Sequence, residues 1–179
     1  MSIETKALID ELLSRGARIG QNVAFGLDVH IEMENAFLLE IQDGVTVGSF
    51  SKLVLHDSSL NNADPGFPIL YGTIVLRKNC FIGRDTLILP GSDVGEDTVI
   101  GAGSLVKGII KPYSVYKGRP AKYYCSVEKL KKKWLKDSKR DLDRFFYIAT
   151  PKRDVRTTED DVRLEEMKRE AFEKMEKKK

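Results

Sequence analysis

The chain has 179 residues, with 30 Lys and Arg against 27 Asp and Glu, for a formal net charge of +3. This length suits one domain with a modest appendage. Its two cysteines are too few for a disulfide framework and predict free thiols in a reducing compartment. No apolar run approaches the roughly 20 residues of a membrane span, and acidic residues interrupt the apolar start, unlike in a signal peptide. We therefore expect a cytoplasmic protein.

The first sixteen residues predict a short capping helix. Ser2 can begin it, leucines and alanine give it an apolar side, and Gly16 suits its exit. We expect this helix, within residues 1–16, to cover one end of the domain that follows.

Aliphatic residues recur every six positions in the middle of the chain. The positions are Leu70, Leu76, Ile82, Ile88, Val94, Ile100 and Val106. An α-helix cannot keep a six-residue stripe on one side, because six residues turn it through about 600°. Six residues do make one short strand and a tight corner, so the period predicts a parallel β-helix. A weaker repeat, which includes Ile31 and Phe37, extends this domain over residues 17–125.

One polar segment, residues 55–68, interrupts the repeat. It is rich in Asn, Asp, Pro and Gly, which predicts a loop. His56 opens it, and strand alternation places this side chain opposite Leu53 and Leu55, outside the β-helix.

Residues 126–179 predict a helical extension. The first helix has one apolar stripe and a lysine-rich opposite side, and ends at Thr150-Pro151. The second runs from about Thr158 to Glu176, with Thr158 and Asp161 as a capping pair.

Three segments resemble the hexapeptide-repeat acyltransferases, most closely sugar O-acetyltransferases of the maltose and galactoside type and polysaccharide or nucleotide-sugar acetyltransferases. They are NCFIGRDTLILPGSDVGEDTVIGAGSLVKG, KPYSVYKGRPAKY, and the loop with His-Asp followed by FPI. The resemblance covers about residues 15–125. It implies a left-handed β-helix, a homotrimer with sites between neighbouring subunits, and transfer of an acetyl group from acetyl-CoA, without a metal, to a hydroxyl or amine.

His56 is the expected general base. A sugar hydroxyl is a poor nucleophile at neutral pH, and a largely neutral imidazole can accept its proton as it attacks the thioester. The chain has only one other histidine, His30, which lies in the regular wall and is expected to be a solvated wall residue or one that contacts the neighbouring coil.

Three further loop residues are candidates for acceptor binding. Asp57 is expected to hold the loop or meet the acceptor, since adjacent residues of an extended chain point to opposite sides and it cannot orient the His56 ring. Asn61 and Asn62 suit sugar hydroxyls, and they equally suit a tight turn.

The resemblance also implies residues that contact acetyl-CoA. Small residues along an outer edge would let the pantetheine arm lie against the backbone, although the same glycines also permit corners. Cations would bind the CoA phosphates. The candidates are Gly83, Gly101, Ala102, Gly103, Ser104, Lys107, Arg119 and Lys122.

Alternative functions compete with this one. Zinc carbonic anhydrases of the same fold need three His ligands, and this chain has two histidines. A β-helix without catalysis, serving as an assembly scaffold, is the non-enzyme alternative. The basic helix either packs on protein or makes weak contact with an anionic membrane surface. No nucleic-acid motif accompanies the charge.

Overall fold

The computed structural model describes residues 3–140 and 157–177. The chain forms two compact units, Met1–Val127 and Glu128–Lys179. Among the helices of the described ranges, none has the length and hydropathy needed to cross a bilayer.

The first unit is built on three sheets of short parallel strands, which form the three faces of a prism. Face A consists of β1 (Arg18–Ile19), β4 (Leu39–Ile41), β9 (Ile74–Leu76), β12 (Ser92–Val94) and β15 (Ile109–Ile110). Face B consists of β2 (Ala24–Phe25), β5 (Thr46–Val47), β10 (Phe81–Ile82), β13 (Val99–Ile100), β16 (Ser114–Lys117) and the antiparallel β17 (Lys122–Ser126). Face C consists of β3 (His30–Ile31), β6 (Lys52–Leu53), β11 (Leu87–Ile88) and β14 (Leu105–Val106). The prism is a left-handed β-helix, as expected.

The last residue of most parallel strands points into the prism. Leu76, Ile82, Ile88, Val94, Ile100 and Val106 are all fully buried, which confirms the six-residue repeat. Alternation along each strand sends the preceding side chain outward. The prediction for Leu70 was wrong: it pairs with Asp57 outside the prism and is 57% exposed, so the regular repeat resumes at Ile74.

The coils differ in length. After the loop, residues 18 positions apart stack, such as Ile82 on Ile100. In the first coil the spacing is 22, since Ile31 stacks on Leu53. A 3-10 helix, Met33–Leu38, supplies the four additional residues. It leaves Phe37 54% exposed, so the expectation that Phe37 continues the inward repeat was wrong.

Both ends of the prism carry additional elements. At the start, α1 (Ile3–Ser14) packs next to β1 and buries Leu12 completely. It ends as expected near Gly16, whose φ of +87° favours glycine. At the other end, β17 reverses direction and pairs with β16, so the final edge of face B is antiparallel.

The remaining helices follow the prism in the chain. α3 comprises Val127–Arg140 and α4 comprises Thr158–Glu176. The expected end of the first helix at Thr150-Pro151 lies outside the described residues. The capping pair of α4 was predicted one position too late. Thr157 is the N-cap, and it exchanges hydrogen bonds with Asp160.

Candidate active site

A hairpin leaves the prism between β6 and β9. It consists of β7 (His56–Asp57), the short helix α2 (Ser59–Ala63) and β8 (Leu70–Tyr71), with β7 and β8 antiparallel. Leu53 and Leu55 are fully buried, whereas the His56 side chain is 34% exposed. The expectation that His56 lies outside the prism is therefore confirmed.

A carboxylate from the preceding coil holds the His56 ring. Oε2 of Glu32 lies 2.8 Å from Nδ1 of His56, and it also accepts a hydrogen bond of 2.8 Å from the backbone N–H of Leu55. Because an ionised carboxylate can only accept, Nδ1 must carry the proton that it shares with Glu32. In the neutral ring, Nε2 is then unprotonated and can accept a proton from another molecule.

Local structure explains how Glu32 reaches this position. It directly follows β3 and precedes the 3-10 helix, at the corner where the next coil departs into the hairpin. Its side chain is 16% exposed. Burial raises the pKa of Glu32, but hydrogen bonds from His56, Leu55 and Asn35 lower it more, so the net pKa lies below the ordinary value. Glu32 is therefore an anion at neutral pH.

The sequence pattern did not identify Glu32. With uniform coils of 18 residues, Glu32 would stack near Phe50 rather than next to His56. The 3-10 helix lengthens the coil to 22 residues and brings the two side chains together, although 24 positions separate them. The signal present in the sequence was the register slip after Phe37, which indicated that this coil was longer.

An aromatic ring covers one face of the imidazole. Tyr71 stands directly opposite His56 in the hairpin, and the ring centroids are 5.9 Å apart with 29° between the planes. Tyr71 itself is 54% exposed. The arrangement is an offset stack of the kind found between aromatic side chains.

The three acceptor candidates occupy the same loop in different environments. Oδ1 of Asp57 accepts a hydrogen bond of 2.9 Å from the Ser59 N–H, and hydrogen bonding by Ser59 lowers its pKa. Nδ2 of Asn61 donates to the Phe67 carbonyl at 2.8 Å. Both side chains thus brace the loop. The Asn62 side chain is exposed and has no hydrogen bond to any described residue.

The loop also lines a half-open pocket of about 300 Å³. Its walls include Leu60, Phe67, Ile69 and Leu70, with Asp57 at one side. Leu70 and Asp57 are a cross-strand pair, next to the pair of Tyr71 and His56. Apolar side chains therefore form most of the inner surface of the loop.

The glycine-rich candidates for CoA lie at a different corner, between faces B and C. Gly83 is buried, and a Cβ placed on it would come within 2.4 Å of the Ala102 nitrogen, so this glycine is needed for packing between coils. A Cβ placed on Gly101 would similarly lie 2.9 Å from the Cβ of Lys117. Ala102 is exposed, and Gly103 has a φ of +68° with open space around it.

Ser104 belongs to the same corner but is fully buried. Its hydroxyl donates to the Gly101 carbonyl and accepts from the Gly118 N–H at 3.2 Å. Any contact of this segment with a cofactor would therefore involve Ala102, Gly103 and the backbone rather than this hydroxyl.

The three candidate cations are all exposed. Lys107 directly follows β14, at the corner between faces C and A that also bears the hairpin, and its charge lowers the pKa of Asp57. Arg119 and Lys122 lie in and next to the turn that joins β16 to β17. Backbone hydrogen bonds from Leu105 to Gly118 and from Ala121 to Leu105 hold this turn against face C.

No cluster of three or more His, Cys, Asp or Glu side chains suited to a metal occurs within residues 3–140 and 157–177. Glu32 and His56 form a smaller group, a carboxylate and an imidazole that share one proton. This arrangement suits the acceptance of a second proton at the free ring nitrogen.

Comparison with known proteins supports the resemblance. A Schizosaccharomyces pombe protein named as an acetyltransferase is 32% identical over 114 residues, which are 61% of this chain and 55% of that protein. A maltose O-acetyltransferase structure from Clostridium difficile 630 has a TM-score of 0.53 at 20% identity, with 70% of this chain and 78% of that chain covered. A hexapeptide-repeat acetyltransferase structure from Vibrio cholerae has a TM-score of 0.51 at 18% identity, with 71% and 83% covered.

The chain thus has the fold of the hexapeptide-repeat acetyltransferases. In sequence it is similar to proteins named as acetyltransferases, and it spans about half or less of the length of the first curated relatives that it matches. No family model matches the chain.

Proposed function

We propose that this protein is an acyltransferase that moves an acetyl group from acetyl-CoA to a hydroxyl (or an amine) of a sugar, nucleotide sugar or polysaccharide precursor. The observation that carries this proposal is the pairing of His56 with Glu32. It leaves Nε2 of the neutral imidazole free to accept a proton, in a partly exposed side chain on a fold used by acetyltransferases.

The reaction proceeds by direct attack. Nε2 of His56 accepts the proton of the acceptor hydroxyl while its oxygen bonds to the thioester carbonyl carbon. The resulting tetrahedral oxyanion collapses with cleavage of the C–S bond. The CoA thiolate leaves and takes the proton back from His56, so the ring returns to its starting state and no acyl-enzyme forms.

Glu32 assists without reacting. Its carboxylate keeps the proton on Nδ1 and stabilises the imidazolium that forms when Nε2 accepts a proton. Carboxylates that pair with a catalytic histidine act in this way in other enzymes, by selecting the tautomer and stabilising the cation. The lowered pKa of Glu32 keeps this group ionised during the cycle.

CoA would lie along the backbone of the corner that contains Gly101, Ala102 and Gly103, with Lys107, Arg119 and Lys122 as partners for its phosphates. In one prism, face C separates this corner from His56. A homotrimer would remove that separation by placing the glycine-rich corner of one subunit next to His56 of another. The acceptor would then bind between subunits, near Asp57, Asn61 and Asn62.

We place the enzyme in the cytoplasm. Both cysteines are buried free thiols, and burial raises the pKa of Cys80 to about 12, so it is unreactive. Weak membrane contact through α3 remains a secondary proposal, supported by its lysines and by Trp134, which is 57% exposed. Flotation with anionic vesicles at low and high salt tests it, and no flotation at low salt would rule it out.

The direct test of the function is release of CoA from acetyl-CoA in the presence of a panel of sugar acceptors. His56→Ala should lower the rate by about 10² to 10⁴, the usual contribution of a positioned base. His30→Ala is the matched control, because His30 is the other histidine and lies on the outer wall of face C. A loss below about fivefold for His56→Ala would remove this residue from the mechanism. A folded wild-type protein that transfers to no acceptor would favour the scaffold alternative.

A further inference from the structure

We infer that Tyr71 is a positioning residue for the general base, one that fixes the plane of the His56 ring and stabilises its protonated form. This inference rests on the proposed function. It begins from the fact that the hydrogen bond to Glu32 holds the ring at one atom only.

The hydrogen bond to Glu32 restrains the imidazole at its edge but does not fully fix the plane of the ring. The χ2 torsion of histidine has a broad energy well, so the ring can tilt while Nδ1 stays within hydrogen-bonding reach of the carboxylate. Asn35 does not prevent this, since its amide also lies near Nδ1, at 3.5 Å. A second restraint must act on the face of the ring if Nε2 is to point in one direction.

Tyr71 supplies such a restraint. The hairpin register places it directly across from His56, and β7 pairs with β8 at only two positions. The two rings stack at 5.9 Å with 29° between their planes. Pivoting of the imidazole would break this stack, so the hairpin register sets the direction in which Nε2 points.

The same ring favours the charged intermediate. When His56 accepts a proton, its ring becomes a cation within about 6 Å of the centre of an aromatic face, which attracts positive charge. Glu32 stabilises that cation at its edge, and Tyr71 does so at its face. The stabilisation is greater after proton transfer than before it, which is the condition for an effect on kcat.

The ring of Tyr71, rather than its hydroxyl, carries this role. The phenolic oxygen has no hydrogen bond to any residue of the described ranges, whereas the ring contacts His56. This distinction provides a matched pair of variants, because Tyr71→Phe keeps the stack and Tyr71→Leu removes it while retaining an apolar side chain of substantial size.

The experiment combines kinetics with NMR of the full chain. We expect Tyr71→Phe to retain kcat within about threefold, and Tyr71→Leu to lower kcat about tenfold with little change in KM for acetyl-CoA. In the NMR spectrum, the carbon-bound protons of the His56 ring should show an aromatic ring-current shift in wild type and Tyr71→Phe that disappears in Tyr71→Leu. Tyr124→Leu, at an exposed tyrosine of β17, serves as the control.

Unchanged His56 signals in Tyr71→Leu would overturn the inference, as would an unchanged kcat. Equal losses in Tyr71→Phe and Tyr71→Leu would assign the effect to the hydroxyl and also overturn it. The NMR measurement needs no turnover. A ring-current shift that disappears as expected in a protein without transferase activity would therefore support the stacking while contradicting the proposed function.

Discussion

Gly83 and Ala102 lie in successive coils, so close that a Cβ on Gly83 would come within 2.4 Å of the Ala102 backbone nitrogen. The obstructing atom is backbone and cannot rotate away. The corner between faces B and C therefore tolerates only glycine at this position.

We expect Gly83→Ala to lower the free energy of unfolding by about 3 kcal/mol through overpacking. Gly91→Ala is the control, because a Cβ added to Gly91 would have nothing within 4 Å, although the residue has a φ of +79°. It should cost only about 1 kcal/mol of backbone strain. Urea unfolding of both variants measures the difference, and equal losses would show that steric conflict between coils is not the cause.

Glu32→Gln should preserve the fold and impair catalysis. A neutral amide can still occupy the site, but it no longer selects the tautomer or stabilises the imidazolium, so we expect kcat to fall by about 10- to 10⁴-fold. KM for acetyl-CoA should change little. Glu34→Gln, at an exposed glutamate in the 3-10 helix that follows Glu32, is the control. Full activity of Glu32→Gln would exclude Glu32 from the mechanism.

Glu32 should also make stability depend on pH. The pKa of Glu32 is lower in the folded protein than its ordinary value of 4.5. Its contribution to the free energy of unfolding is therefore fully present above pH 4.5, and it is lost as the pH falls through the lower pKa of the folded state. The unfolding free energy of wild type should therefore decrease more between about pH 6 and pH 3 than that of Glu32→Gln. Denaturant titrations across this range measure both slopes, and parallel curves would contradict the assignment.

Lys107 provides a test of CoA binding. If it contacts a CoA phosphate, Lys107→Ala should raise KM for acetyl-CoA about tenfold through loss of a charge-assisted hydrogen bond, with kcat nearly unchanged. Lys78→Ala is a suitable control, because Lys78 is an exposed lysine at the corner between faces A and B. Equal KM values for the two variants would remove Lys107 from the CoA site.

The repeat made the fold predictable. A six-residue period with aliphatic residues facing inward permits few structures, and the buried positions from Leu76 to Val106 follow it throughout. The prediction lost accuracy where local structure departs from the period. The 3-10 helix displaced Phe37, and the hairpin displaced Leu70.

The site was less predictable because its residues come together where the structure departs from the six-residue period. His56 could be selected because the chain has two histidines and one of them begins the interrupting loop. Glu32 and Tyr71 could not, because each depends on register: the first on the length of a coil, the second on strand pairing within the loop. Neither residue has a distinctive local pattern in the sequence.

The hairpin is inserted between β6 and β9 without interrupting the strand pairing of the prism. β4 pairs directly with β9 although the loop intervenes in the chain between them, and β6 pairs with β11. The coils on either side thus meet as if the segment were absent. Evolution can therefore lengthen, shorten or replace the part of the hairpin beyond His56 without disturbing the scaffold that carries Glu32, and under the proposed function such changes would alter the choice of acceptor.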